Sequence, residues 1–245
     1  MTIDNEKAAA RWRRAMSRRW VRFGLAAAAM FAILAIFHAQ IARGVAGFLI
    51  VERPVGQADY LAVLPGVVGQ SGVVDDAARR YSRGEVHGIL LFEPPVSRAV
   101  RCGAWPDKVD TFRAELERRG VPSAAVILLP GPCRTTRDAA GAIRLWLEDR
   151  PKTRMLVLGR LLRGRCDRQV FNSVLDAQQS EGVEFAAIHT GVDQGNWWKS
   201  REGILLIFQN YAALAFNGWN GPSQPCRPAW TLEEFENSLP TLSHQ

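Results

Sequence analysis

In the stretch "MLVLGRLLRGRCDRQ", residues 155–169, four arginines crowd behind a short apolar run: Arg160, Arg163, Arg165 and Arg168. A guanidinium keeps its charge at any working pH and presents a planar fork that fits two oxygens of a phosphate or carboxylate at once. Arginines leaving a buried strand therefore read as a cradle for an anion. Arg160 and Arg165 are the first candidates, and Arg168 follows, on the first turn of the next helix. The competing reading is a solvated loop held near acidic lipid. A second stretch, "PGVVGQSG" at 65–72, carries Gly66, Gly69 and Gly72 at even spacing. Glycine lets backbone N–H groups approach a ligand closely, and a helix starting near Val73 would add its positive end. Gly66 and Gly69 join the candidate site, although the spacing is neither a dinucleotide fingerprint nor a phosphate-binding loop.

Thr135 and Thr136 precede "RDAAGAI" with the residue types and spacing of a helix N-cap reaching Asp138. Glu93 in "FEPP" has the chemistry of a general base and the position of a solvated strand-end carboxylate. His189 closes an apolar run, but a lone histidine without a neighbouring Cys or carboxylate pattern makes a poor metal ligand or triad member. No metal site is expected, and these residues assign neither a cofactor nor a catalytic group.

The elements that must hold these side chains follow from the hydropathy pattern. Short apolar runs lie at 59–65, 88–92, 125–130, 155–159 and 183–188. Each has the length and composition of a strand buried on both faces. Amphipathic stretches of helical length separate them at 73–83, 107–119, 136–150 and 166–180, with a last one at 200–216. Such alternation predicts an α/β fold, a Rossmann-like doubly wound parallel sheet of about five strands built from right-handed βαβ units. With the common strand order 3-2-1-4-5, the winding reverses between the first and fourth strands, where ligands bind beyond the carboxyl ends. The 65–72 and 159–168 segments then face each other across that crevice.

Charge and hydropathy also bear on location. The formal net charge is +7, yet seven cations against Asp4 and Glu6 before Phe23 account for +5 of it. The basicity belongs to an arm at 1–22, so nucleic acid is not an expected partner. The arm abuts "FGLAAAAMFAILAIFHAQIA", residues 23–42, a stretch without a formal charge and long enough to cross a bilayer as a helix. The cationic flank places the N-terminus in the cytoplasm and the chain after Arg43 outside, as a single-pass protein of the cytoplasmic membrane. A cleaved signal peptide is the alternative, but the apolar stretch exceeds the usual signal core. A linker is expected at 43–57, an α/β domain at 58–218 and a turn-rich tail at 219–245, with one short helix from Thr231. Cys102, Cys133, Cys166 and Cys226 lie beyond the expected anchor, so disulfides are open to them. Neighbouring second and third strands favour Cys102 with Cys133, then Cys166 with Cys226; free buried thiols are the alternative.

The stretches "ADYLAVLPG", "DDAARRYSRGEVHGILLF", "CRTTRDAAGAI", the strand entering the arginine-bearing loop, and "WWKSREGILLIFQNY" resemble the YdcF/SanA/ElyC family of bacterial envelope domains. The likeness runs over residues 55–218. It implies a Rossmann-like sheet, a membrane-anchored arrangement and a role in cell-envelope biogenesis, with envelope-assembly proteins as partners. The family's Thr-x-x-Asn-Ala signature falls on Thr136 and Ala140, with Ala139 in place of Asn, which adds Thr136 to the candidate site. The chain departs elsewhere: the family's histidine after the fourth strand is missing, and Asn210 and Ala213 stand where Glu and Lys are common. Two functions are therefore expected. One is binding of an anionic small molecule or phosphorylated envelope precursor. The other is a catalytically silent, membrane-tethered scaffold or regulator of polysaccharide or peptidoglycan assembly.

Overall fold

All five apolar runs become parallel strands: β1 (Tyr60–Val63), β2 (Gly88–Phe92), β3 (Val126–Leu129), β4 (Met155–Arg160) and β5 (Val183–Ile188). The computed structural model describes residues 29–220, apart from 31, 34–35, 52–55, 71, 94, 96–97, 105 and 190. The strand order is β3-β2-β1-β4-β5. β1 pairs with β2 from Tyr60 opposite Gly88, and with β4 from Tyr60 opposite Met155 to Val63 opposite Leu158. Every residue of β2 is buried, as are Met155 to Gly159 of β4, which explains why these strands read as unbroken apolar runs. At the edge, β3 leaves Leu128 exposed. Gly88 is required where it stands, because a Cβ there would sit 2.7 Å from the Tyr60 ring, which itself packs edge-on against Trp146.

The chain divides into two units, 1–45 and 46–245. In the first, residues 29–30, 32–33 and 36–45 are helical, and Met30, Ile33, Ile36, Phe37 and Ile41 are exposed. The expected anchor at 23–42 lies in part outside the described residues, as does the whole of the 1–22 arm. Among the described residues no helix is long and apolar enough to cross a membrane. The tail from 221 onward, with Cys226 and the helix expected from Thr231, is also outside them.

The second unit opens with a helical turn, α1 (46–49), followed by α2 (Val73–Ser82), α3 (Arg98–Arg101), α4 (Lys108–Arg118), α5 (Thr136–Glu148), α6 (Gly164–Val174), α7 (Ala177–Glu181) and α8 (Arg201–Asn220). α2 packs with α4 and α5 with α6, the pairing a sheet wound in both directions from β1 and β4 requires. Side-chain caps start several helices. Asp107 accepts the Val109 N–H at 2.7 Å, and Thr135 and Asp138 form a reciprocal capping box at α5. Residues 46–51, within the expected 43–57 linker, pack into this unit: Ala46 and Leu49 are fully buried and Phe48 stacks on Tyr211.

Two expectations are corrected here. The single helix expected at 166–180 is two, because Leu175 is extended and Asp176 starts α7 with a capping box closed by Gln179. An Asx cap satisfies the orphan N–H groups of a new helix start, so the chain breaks where the hydropathy period alone does not show it. The Cys102–Cys133 disulfide is also not formed: Cys102 is exposed, whereas Cys133 is a buried thiol. Cys166 is a buried thiol too, its Sγ directed at the Asn210 carbonyl oxygen at 3.3 Å. Burial pushes both buried thiols up to about 11, so neither carries thiolate character near neutral pH.

Candidate anion-binding crevice

Where β1 and β4 end, the chain leaves a cavity of about 270 Å³ lined by Leu64, Pro65, Gly66, Val67, Arg134, Thr135, Thr136, Gly159, Arg160, Arg163 and Asp167. Its position follows from the strand order, since the β1–β4 boundary is the switch point of the sheet. Gly66 brings the β1 loop beneath Arg160: a Cβ on it would lie 3.3 Å from an Arg160 guanidinium nitrogen. Gly159 keeps the floor open in the same way, with Asp167 Oδ2 and Leu64 Cδ1 each 3.3 Å from where its Cβ would be.

Two helices begin at this cavity. Thr135 is the N-cap of α5 and Arg163 the residue before α6, so the positive ends of both helix dipoles lie beside it. A short 3-10 turn, Leu161–Arg163, joins β4 to α6 and buries Leu161 and Leu162. That turn sets the helical phase. Arg163 and Asp167 fall one turn apart on the same face, and Arg163 Nε donates to Asp167 Oδ1 at 3.1 Å. Thr136 Oγ1, from the first turn of α5, donates to the same oxygen at 3.0 Å.

Asp167 is 2 % exposed, one of only two buried polar residues among those described. Burial pushes its carboxyl above the ordinary range, opposed by the charge of Arg163, the hydrogen bonds from Thr136 and Arg163, and the charge of Arg160. Among the described residues, the guanidinium of Arg160 donates no hydrogen bond, and Arg134 is exposed with its side chain equally unspent. Three guanidinium groups against one carboxylate leave the crevice cationic. Its unspent donors have the chemistry of an oxyanion site.

Gly66, Thr136 and Arg160, all expected at the site, are brought together here. Gly69 is not; it holds a left-handed turn at φ 83° away from the lining. The helix end expected at the crevice, that of α2, is likewise replaced by those of α5 and α6. Arg165 is also elsewhere, because α6 begins at Gly164 and its phase turns Arg165 toward residues 46–51. There its Nε donates to the Phe48 carbonyl and its guanidinium lies 4.0 Å from the Phe48 ring centre. Arg168 lines a different cavity of about 310 Å³, with Val51, Asn172, Glu181 and Glu184. Missing from the expected set are Arg134, Arg163 and Asp167. The signal that finds the last two is their i, i+4 spacing, usable only once the helix is known to start before Cys166.

A second cavity of about 780 Å³ adjoins the first through Arg160, which lines both. Gln70, His189, Gly191, Val192, Glu202, Leu205, Leu206 and Gln209 complete it. Glu93 is exposed and accepts the Gly131 N–H at 3.3 Å, outside both linings. Trp197 and Trp198 pack edge to face with ring centres 6.0 Å apart. Asn210 is structural: it is 1 % exposed and its Nδ2 donates to the Leu162 carbonyl at 3.1 Å, tying α8 to the turn after β4. Among the described residues, no His, Cys, Asp and Glu side chains are grouped to hold a metal ion.

The fold and the crevice together define an α/β parallel-sheet protein with an arginine-lined cavity at its topological switch point. In comparisons with known proteins, no family model, no curated protein and no solved structure matches the chain.

Proposed function

We propose that this protein is a membrane-anchored, extracytoplasmic binding domain of the YdcF/SanA/ElyC type. Its β1/β4 crevice takes the anionic group of a small molecule or phosphorylated envelope precursor. The observation that carries the reading is the convergence of Arg134, Arg160 and Arg163 with the starts of α5 and α6 on one cavity. The adjoining cavity, reached past Arg160 and walled by Val192, Leu205 and Leu206, has room for the remainder of such a molecule.

Inorganic phosphate, titrated calorimetrically into the full chain, tests the reading. Saturable binding that weakens with added salt is expected, because the recognition is largely electrostatic. Heats no larger than those of a matched chloride titration would remove the anion site. The anchor rests on the uncharged 23–42 stretch and its cationic flank. Reporter fusions at both ends should place residue 1 in the cytoplasm and residue 245 outside; cytoplasmic activity of a C-terminal reporter would refute that placement.

A second reading, a catalytically silent scaffold or regulator of envelope assembly, is favoured by one observation. The turn after β4 holds Leu161 and Leu162 buried where the resemblance calls for a histidine, and Asn210 is spent on anchoring that turn.

A further inference from the structure

We propose that Asp167 makes the crevice selective for an oxyanion that carries its own hydrogen-bond donor, a protonated phosphate, over a fully ionised one such as sulfate. The inference rests on the anion-binding reading above and names the chemistry of that ligand more closely.

An anion site built only of arginines and helix ends accepts any oxyanion of suitable size. Here a carboxylate stands in the lining. Asp167 is 2 % exposed, and both hydrogen bonds it receives, from Thr136 Oγ1 and Arg163 Nε, reach Oδ1. Among the described residues none reaches Oδ2. That oxygen lies toward Gly159, where any side chain would crowd it, so the crevice floor is kept clear in front of it. Thr136 and Arg163 donate to its partner oxygen and Arg160 lies nearby, and all three favour the acceptor form against the burial that pushes this carboxyl up.

An acceptor that faces the crevice without a protein partner is matched by a ligand that presents an O–H there and is opposed by one that presents only lone pairs. Inorganic phosphate keeps at least one P–O–H at neutral pH. Sulfate keeps none and sets its lone pairs against those of Oδ2. Sites that hydrogen-bond a specific ligand group reject analogues lacking it far more strongly than apolar pockets reject a change in size.

The test compares inorganic phosphate and sodium sulfate at pH 7 and matched ionic strength, by calorimetry on the full chain and on Asp167→Asn. The asparagine keeps an acceptor for Thr136 and Arg163 and places an N–H₂ donor where Oδ2 was. The wild type is expected to bind phosphate about tenfold or more tighter than sulfate. In Asp167→Asn, sulfate should come within about threefold of phosphate, an N–H₂ donor serving either ion alike. Equal affinities in the wild type would overturn the proposal while leaving the anion crevice intact. Selectivity retained by a folded Asp167→Asn would overturn the role of this residue. Absence of binding for both ions in the wild type would overturn the crevice reading itself, and this inference with it. The wild-type comparison decides the matter even if the variant does not fold.

Discussion

Arg160→Ala should weaken phosphate binding by about 1.5–3 kcal/mol, the scale of a hydrogen bond to a charged group, and leave the melting temperature nearly unchanged. The asymmetry follows from its surroundings. Arg160 spends none of its donors on the described residues, so the fold loses little when they go. It stands between two cavities, so a ligand loses its most central cation. Arg160→Lys sharpens the test, because it keeps the charge and removes the planar fork. Arg165→Ala and Arg168→Ala serve as controls expected to hold phosphate as tightly as the wild type. One of these arginines is engaged with Phe48 and the other lines a separate cavity. Calorimetry on the four variants checks the set. Wild-type affinity in Arg160→Ala, or a larger loss in either control, would show that the anion sits elsewhere.

Phe171→Ala should cost about 3–5 kcal/mol of folding stability, the range for truncating a buried aromatic. Phe171 is 1 % exposed on α6, and its ring meets Phe185 of β5 edge to face with centres 5.3 Å apart. It lies one helical turn beyond Asp167, so the contact that seats α6 on the sheet also seats the crevice carboxylate. Urea unfolding of the wild type and variant measures the cost. A loss below about 1 kcal/mol would mean that the site collapses around the missing ring and that α6 is held mainly by other contacts.

Most of the framework is legible in the sequence, because a strand buried on both faces must be apolar throughout. β2 and β4 announce themselves in "GILLF" and "MLVLG" for that reason. The switch point follows from the alternation of strands and helices together with the usual winding. The crevice lining is only half legible. Arg160, Thr136 and Gly66 lie at strand or helix ends whose places topology dictates. Arg163 and Asp167 depend on helical phase, and moving the start of α6 from Cys166 to Gly164 exchanges Arg165 for Arg163 at the site. Arg165 is misassigned for a second reason: residues 46–51 read as linker, yet they supply the Phe48 ring and carbonyl that engage it. The break at Leu175 is present in the sequence as an Asp176 and Gln179 pair, but a helical hydropathy period that continues across it hides the cap.

The central pairing of the sheet has a consequence for the order of folding. Asp59 and Arg154 are 95 positions apart in the chain and are joined by a 2.7 Å hydrogen bond at the mouth of the β1–β4 ladder. β1 cannot find β4 until the intervening crossovers are made, and such distant pairing is slow because the entropy of loop closure must be met first. The crevice draws on residues 64–67, 134–136 and 159–167, so it is incomplete in a chain whose synthesis has stopped short of β4. A bound anion therefore recognises a topology and not a peptide. It favours the completed native state over every partly wound intermediate by mass action.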